Sequence, residues 1–305
     1  MRHPSLLAGL SALALLALPA CSDDGAPDST AAVVPGDPAA CPGEVLDVVA
    51  SVAAWGGVVQ RLGGDCATVT TITGSAADLS PADRAVVAAA DLVVVNGIRY
   101  DEAAIEAAEA ASGDPVVVSA AEVVGRAAQR RDPHLWYEPA AVPEVSAAIA
   151  RQLADLSPDA APYFDAQHTA WTAELQPVLA AVAALRDEAA GRTYAATRPL
   201  YGRTAEAVGL VDETPRGFLR SMRSGTDPSP DDVAAFESLL RDGAVEVLIQ
   251  DGAGEGDVPE QLREAADDGD VPVVAVTEGP PDDVPFVEWQ LEQLTSLAEA
   301  LAEDG

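Results

Sequence analysis

A chain of 305 residues with 50 acidic and 17 basic side chains carries a net charge of −33, and every basic side chain is an arginine. Such a surface repels phosphate backbones and anionic headgroups, which argues against nucleic acid as a partner and against charge-driven membrane contact. At 49% hydrophobic residues there is ample material for a core, and the length fits one large or two ordinary domains.

At the N-terminus, Arg2 supplies a positive charge, residues 6–20 form an apolar run, and Leu18, Pro19 and Ala20 lead into Cys21. The run is shorter than the ~20 residues that span a bilayer, so a cleaved export signal over 1–20 is expected rather than a membrane helix. LPAC resembles the bacterial lipoprotein box, in which the cysteine carries lipid. Cys21 is therefore the expected lipidation site, anchoring the exported chain to the outer face of the cell membrane. Residues 21–43 read as a lipidated flexible tether, because 22–40 has almost no large apolar side chains to bury.

With Cys21 lipidated, Cys41 and Cys66 remain as a pair in an oxidising compartment. Cys41 precedes an apolar run over 45–50, and Cys66 opens another over 66–72. If these are neighbouring parallel strands, both cysteines sit at the same end of the sheet, and their Cα separation decides whether they bond.

A helix over 52–62, ended by Gly63 and Gly64, separates those two strands. Ser80, Pro81 and Asp83 then supply an N-cap, a first-turn proline and a dipole-matching charge for a helix to residue 90. Next come a buried strand over 91–96, a helix over 101–111 and a strand over 115–119. Strands alternating with helices at this spacing predict right-handed crossovers and a parallel sheet. A helix over 143–156 follows, and Ser157 with Pro158 restarts another that runs to about residue 190. At 1.5 Å per residue it would be ~45 Å long, a spine joining two lobes, which Pro177 should kink or split.

The alternation resumes with strands over 193–197, 245–250 and 271–276, and helices over 199–208, from 230, over 259–267 and from 286. The fold class expected is α/β: two parallel-sheet lobes, 44–156 and 191–305, joined by a long rigid helix over 157–190. In open parallel sheets ligands lie beyond the carboxyl ends of the strands, where Asp251, Thr197 and Arg198 fall.

The three histidines are not equivalent. His3 lies in the export signal and His168 in the long polar helix. His134 sits in DPHLWYEP, 132–139, where Pro133 and Pro139 hold an irregular loop and Trp136 and Tyr137 offer an aromatic wall. That setting suits a metal ligand or an acid/base better than a packed helix does. A loop histidine that merely caps backbone groups is the bland alternative. No GxSxG elbow is present, and the acidic turn DGAGEGD over 251–257 fails both the GxGxxG and the EF-hand spacing, so no enzyme is expected.

The strings VVASVAAWGGVVQRLGGD, ADLVVVNGIRYDE, DPHLWYEP, AVGL at 207–210, GTDPSPDDV and VPFVEWQLEQL resemble the zinc and manganese solute-binding lipoproteins of ABC importers over nearly all of the mature chain. The resemblance implies a monomer that delivers a divalent metal ion to a transporter permease, with the metal held between the lobes. Family members usually bind it through four positions, of which His134 matches the second and Asp251 the fourth. The first falls in 73–81, which has no histidine and offers Asp78 as an oxygen donor. The third falls on Arg198, a guanidinium with no lone pair to give.

The metal site implied is thus His134, Asp251 and Asp78, for zinc or manganese, lined by Arg198, Trp136 and Tyr137. The alternative is a paralogue that keeps the fold, binds no metal and serves another solute or a partner protein. In that case Arg198 can pair with Asp251 where the metal would sit.

Overall fold

The computed structural model describes residues 31–72, 78–125, 132–252 and 256–302. The expected export signal, the Cys21 lipidation site, residues 73–77 of the shortened loop and 253–255 of the acidic turn lie outside the described residues.

The first sheet comprises Ala31–Val34 (β1), Leu46–Ala50 (β2), Ala67–Ile72 (β3), Leu92–Val95 (β4) and Val116–Ser119 (β5), in the order β1-β3-β2-β4-β5. All pairs are parallel except β1 with β3. The interior strand β4, LVVV, is buried at every position, as helices on both faces of a parallel sheet require. Those helices are Ala53–Gly63 (α1), Pro81–Ala89 (α2), Glu102–Glu109 (α3) and the short Ala120–Val124 (α4). Ser80 caps α2 by accepting from the amide of Asp83 at 3.1 Å, with Pro81 in the first turn.

β1 corrects the expectation that the whole of 21–43 is an unstructured tether. Ala31–Val34 is half-buried at its first residue and exposed at the other three, so hydropathy gives no sign of it. It adds to the sheet through its backbone, covering the edge of β3, and the amide of Asp37 continues the contact to the carbonyl of Asp65 at 2.8 Å. The Cys41–Cys66 disulfide ties this segment to the start of β3, with a Cα separation of 4.9 Å.

Ala141–Leu156 (α5) leads into the 29-residue helix Ala161–Ala189 (α6), which is unbroken at Pro177. The expected split does not occur. Trp171, Leu175, Val178, Val182, Leu185 and Ala189 recur at alternating spacings of four and three, giving one buried stripe. Pro177 is on the exposed face, where water can take the hydrogen bond it removes.

The second sheet contains Thr193–Ala196 (β6), Val211–Asp212 (β7), Val247–Asp251 (β8) and Val273–Val276 (β9), ordered β7-β6-β8-β9 and parallel throughout. Its helices are Gly202–Ala207 (α7), Arg216–Ser224 (α8), Pro230–Arg241 (α9), Asp257–Asp268 (α10) and Phe286–Ala302 (α11). The sequence pattern did not anticipate α8 or β7. One core runs through both lobes along α6 and α11, where the ring of Phe286 packs on Trp171 at 5.8 Å and on Trp289 at 5.7 Å.

The disulfide closes a separation of 25 residues, and a native bridge of this kind contributes about 2–4 kcal/mol, mainly by restricting the unfolded chain. Replacing Cys41 and Cys66 together by serine should lower the urea-unfolding free energy by that amount. An unchanged midpoint would mean that β1 and β3 hold together without it.

Candidate cation site between the lobes

The site is built where each sheet changes direction. In the first sheet β3 lies on one side of β2 and β4 on the other, and in the second β7 and β8 lie on either side of β6. The ends of β2, β4, β6 and β8 therefore flank two crevices, and residues following them converge.

The loop 132–139 lies between the lobes. Its backbone is held from the first lobe by Asn96, whose side chain donates to the carbonyl of Pro133 at 2.7 Å and accepts from the Trp55 indole at 3.1 Å. From the second lobe, the buried guanidinium of Arg203 donates to the Glu138 carboxylate and to the carbonyl of Asp132. Thr204 donates to the carbonyl of Tyr137 at 2.7 Å, and the Tyr137 hydroxyl donates to the carbonyl of Thr277.

Trp136 and Tyr137, expected to line the cleft, are instead 1% exposed and belong to the core. Two adjacent large aromatics bury more apolar area inside a loop clamped on both sides than at its rim. Trp136 still backs His134 edge-on, with centroids 5.4 Å apart.

His134 is buried, and its orientation is fixed by Asp132. Asp132 Oδ1 accepts from the His134 amide at 3.0 Å and lies 2.7 Å from Nδ1. This leaves Nε2 facing the cleft, 3.8 Å from Glu278 Oε1. Burial opposes the charged imidazole, but the hydrogen bonds and charges of Asp132 and Glu278 outweigh it and raise the His134 pKa above 6.5.

From the second lobe, Asp251 ends β8 with its side chain 4% exposed, and its amide donates to Thr197 Oγ1 at 3.1 Å. Arg198 Nη1 donates to Asp251 Oδ2 at 2.6 Å, and Nη2 lies 3.8 Å from Glu278 Oε2. Glu278, two residues after β9, also accepts from the Tyr100 hydroxyl at 2.5 Å. The approach of His134, then the hydrogen bond from Tyr100 and the charge of Arg198, hold its carboxyl down to about 2 despite burial. Burial and the Glu278 bond raise Tyr100 well above its usual range, so its hydroxyl remains a donor.

Of the expected ligands, His134 and Asp251 face the same cleft, with Arg198 beside Asp251. Asp78 is exposed, and among the described residues no group of three or more His, Cys, Asp and Glu side chains is arranged to hold a metal ion. Sequence reasoning missed Glu278. The available signal was its place after the strand next to β8, but it lies in TEGPP, which reads as a turn.

The sequence profile described as ZnuA, zinc-uptake complex component A periplasmic, matches residues 48–300. Among solved structures, ZnuA itself aligns with TM-score 0.67 at 18% identity, covering 85% of this chain and 98% of that one. FpvC from Pseudomonas aeruginosa, solved with Mn2+, aligns with TM-score 0.70 at 20% identity over 85% and 100%. The periplasmic zinc-binding protein TroA from Treponema pallidum aligns with TM-score 0.70 at 16% identity over 84% and 99%. No curated protein sequence matches.

The raised His134 pKa fixes the sign of a pH effect. Its bonds contribute fully below the unfolded value of about 6.5 and are lost as pH rises through the folded value. Glu278 contributes above its ordinary 4.5, and that contribution is lost as pH falls toward 2. The stability gap between wild type and His134→Gln should therefore shrink from pH 6 to pH 9 in urea titrations. A gap that widens over that range would contradict the assignment.

Arg203→Met should cost about 3 kcal/mol, the low end for breaking a buried pair, because Glu138 keeps some contact with water. Chemical denaturation measures it, and a loss under about 1 kcal/mol would show that the pair is solvated.

Proposed function

The chain belongs to the zinc-uptake component A family of metal-binding solute-binding proteins of ABC importers, and from that premise we propose that it is an exported receptor, lipid-anchored through Cys21, whose cation position is filled from within. The family consists of binding proteins and not enzymes. The observation that carries this reading is Arg198 bonded to Asp251 at 2.6 Å. A divalent ion needs that carboxylate, with about four nitrogen, sulfur or oxygen donors in all for zinc, and a fixed positive charge beside it opposes the ion's approach.

In this reading the receptor acts as a monomer, with 44–156 and 191–305 as its two lobes, and docks on a transporter permease. The Arg198 cation holds the cleft in one shape without a bound ion. A second reading is capture of zinc or manganese by His134 and Asp251 after Arg198 moves aside, with Asp78 as the further donor first expected. It is favoured by the 46% exposure of the Arg198 side chain, which leaves room for such a movement.

Calorimetric titration of chelator-treated protein with zinc and with manganese decides between them. We expect no saturable heat at micromolar metal. Tight stoichiometric binding that His134→Ala abolishes would sink the internally filled receptor and support metal capture. The mass of the membrane-extracted protein should carry lipid on Cys21, and a soluble, unmodified mature chain would refute the anchor.

A further inference from the structure

The two oxygens of Glu278 are divided between the lobes. Oε1 accepts from Tyr100 and faces His134 Nε2, both in the first lobe, while Oε2 faces Arg198 Nη2. Asp251 takes the neighbouring nitrogen of the same guanidinium. Arg198 thus sits in a fork between two carboxylates reached from the ends of adjacent strands, β8 and β9.

A guanidinium is a planar cation with five N–H donors that match carboxylates on two sides at once. A divalent transition metal needs lone-pair donors converging at about 2.0–2.2 Å, and no group of three or more ligating side chains is so arranged among the described residues. His134 does not compete for the same place. Its Nδ1 is committed to Asp132 and its Nε2 faces the Glu278 oxygen turned away from Arg198.

Resting on the reading of an internally filled receptor, we propose that the cleft is a guanidinium seat: Asp251 and Glu278 select a planar monocation over a divalent metal ion, and Arg198 is its tethered occupant. Glu278 determines the specificity because it also reaches across to Tyr100 and His134. Removing Arg198 to its Cβ leaves a seat of the same shape for a free guanidinium compound.

The test uses the intact protein, Arg198→Ala and Arg198→Ala/Glu278→Gln, with methylguanidinium, methylammonium and zinc as probes in calorimetry. Arg198→Ala should bind methylguanidinium saturably and in preference to zinc, with methylammonium weaker. Glu278→Gln in that background should weaken methylguanidinium by about fivefold, the upper scale for losing one partner of a partly exposed ion pair. Binding of zinc in preference to methylguanidinium, binding of neither, or indifference to Glu278→Gln would each overturn the seat.

If Arg198→Ala does not fold, nitrogen-15 NMR of arginine-labelled wild type takes its place. The Arg198 guanidinium should show slow rotation that Glu278→Gln releases, and fast rotation in wild type would overturn the proposal. Zinc titration of wild type stands apart from both measurements. Tight zinc binding there would overturn the receptor reading, whereas a failure confined to Arg198→Ala and NMR would overturn only the seat.

Discussion

The structure depends on the clamping of the loop 132–139 between two sheets. Pro133 and Pro139 limit this backbone to one 3-10 turn, Leu135–Tyr137, so the carbonyls of Asp132, Pro133 and Tyr137 need partners from elsewhere. Asn96 supplies one from the first lobe, and Arg203 and Thr204 supply others from the second. Once those bonds are made, Trp136 and Tyr137 have nowhere to go but the core that the two lobes share. The lobes are therefore joined through a packed element as well as along α6, and the direction of His134 is set by groups on both sides of it.

Charge is managed in this chain by few cations among many carboxylates. There is no lysine, and among the described residues several guanidiniums each serve more than one acceptor. Arg203 reaches Glu138 and the Asp132 carbonyl, Arg192 reaches Glu246 and the Leu301 carbonyl, and Arg198 reaches Asp251 and approaches Glu278. A planar fork with several donors serves two acceptors in fixed directions, which a single ammonium does less well. The cleft uses the same device as the rest of the molecule.

The site itself was only partly legible. His134 stood out through its prolines, and Asp251 through its place at the end of a strand, because both signals are local. Asp78 was a candidate for the same reason, being an acid in the right loop, yet it is exposed. Glu278 was passed over because TEGPP looks like turn chemistry, and nothing in the sequence near it indicates Tyr100, 178 positions away. Contacts of that separation are created by strand order, which local patterns do not contain.

By itself the sequence determined most of the succession of elements, though not β7 or α8, together with the two parallel sheets and the long helix, because periodicity, caps and buried β-rich runs act over a few residues. It also identified Cys41 and Cys66 as the available pair. It did not determine β1, whose attachment is by backbone alone, or the continuity of α6 through Pro177, which follows from that residue facing water. Only the tertiary structure decided that Trp136 and Tyr137 are core and that Arg198, Glu278 and Tyr100 meet. The physical reason is that burial and ion pairing depend on what lies opposite, and what lies opposite is fixed only when both sheets and the loop between them have packed.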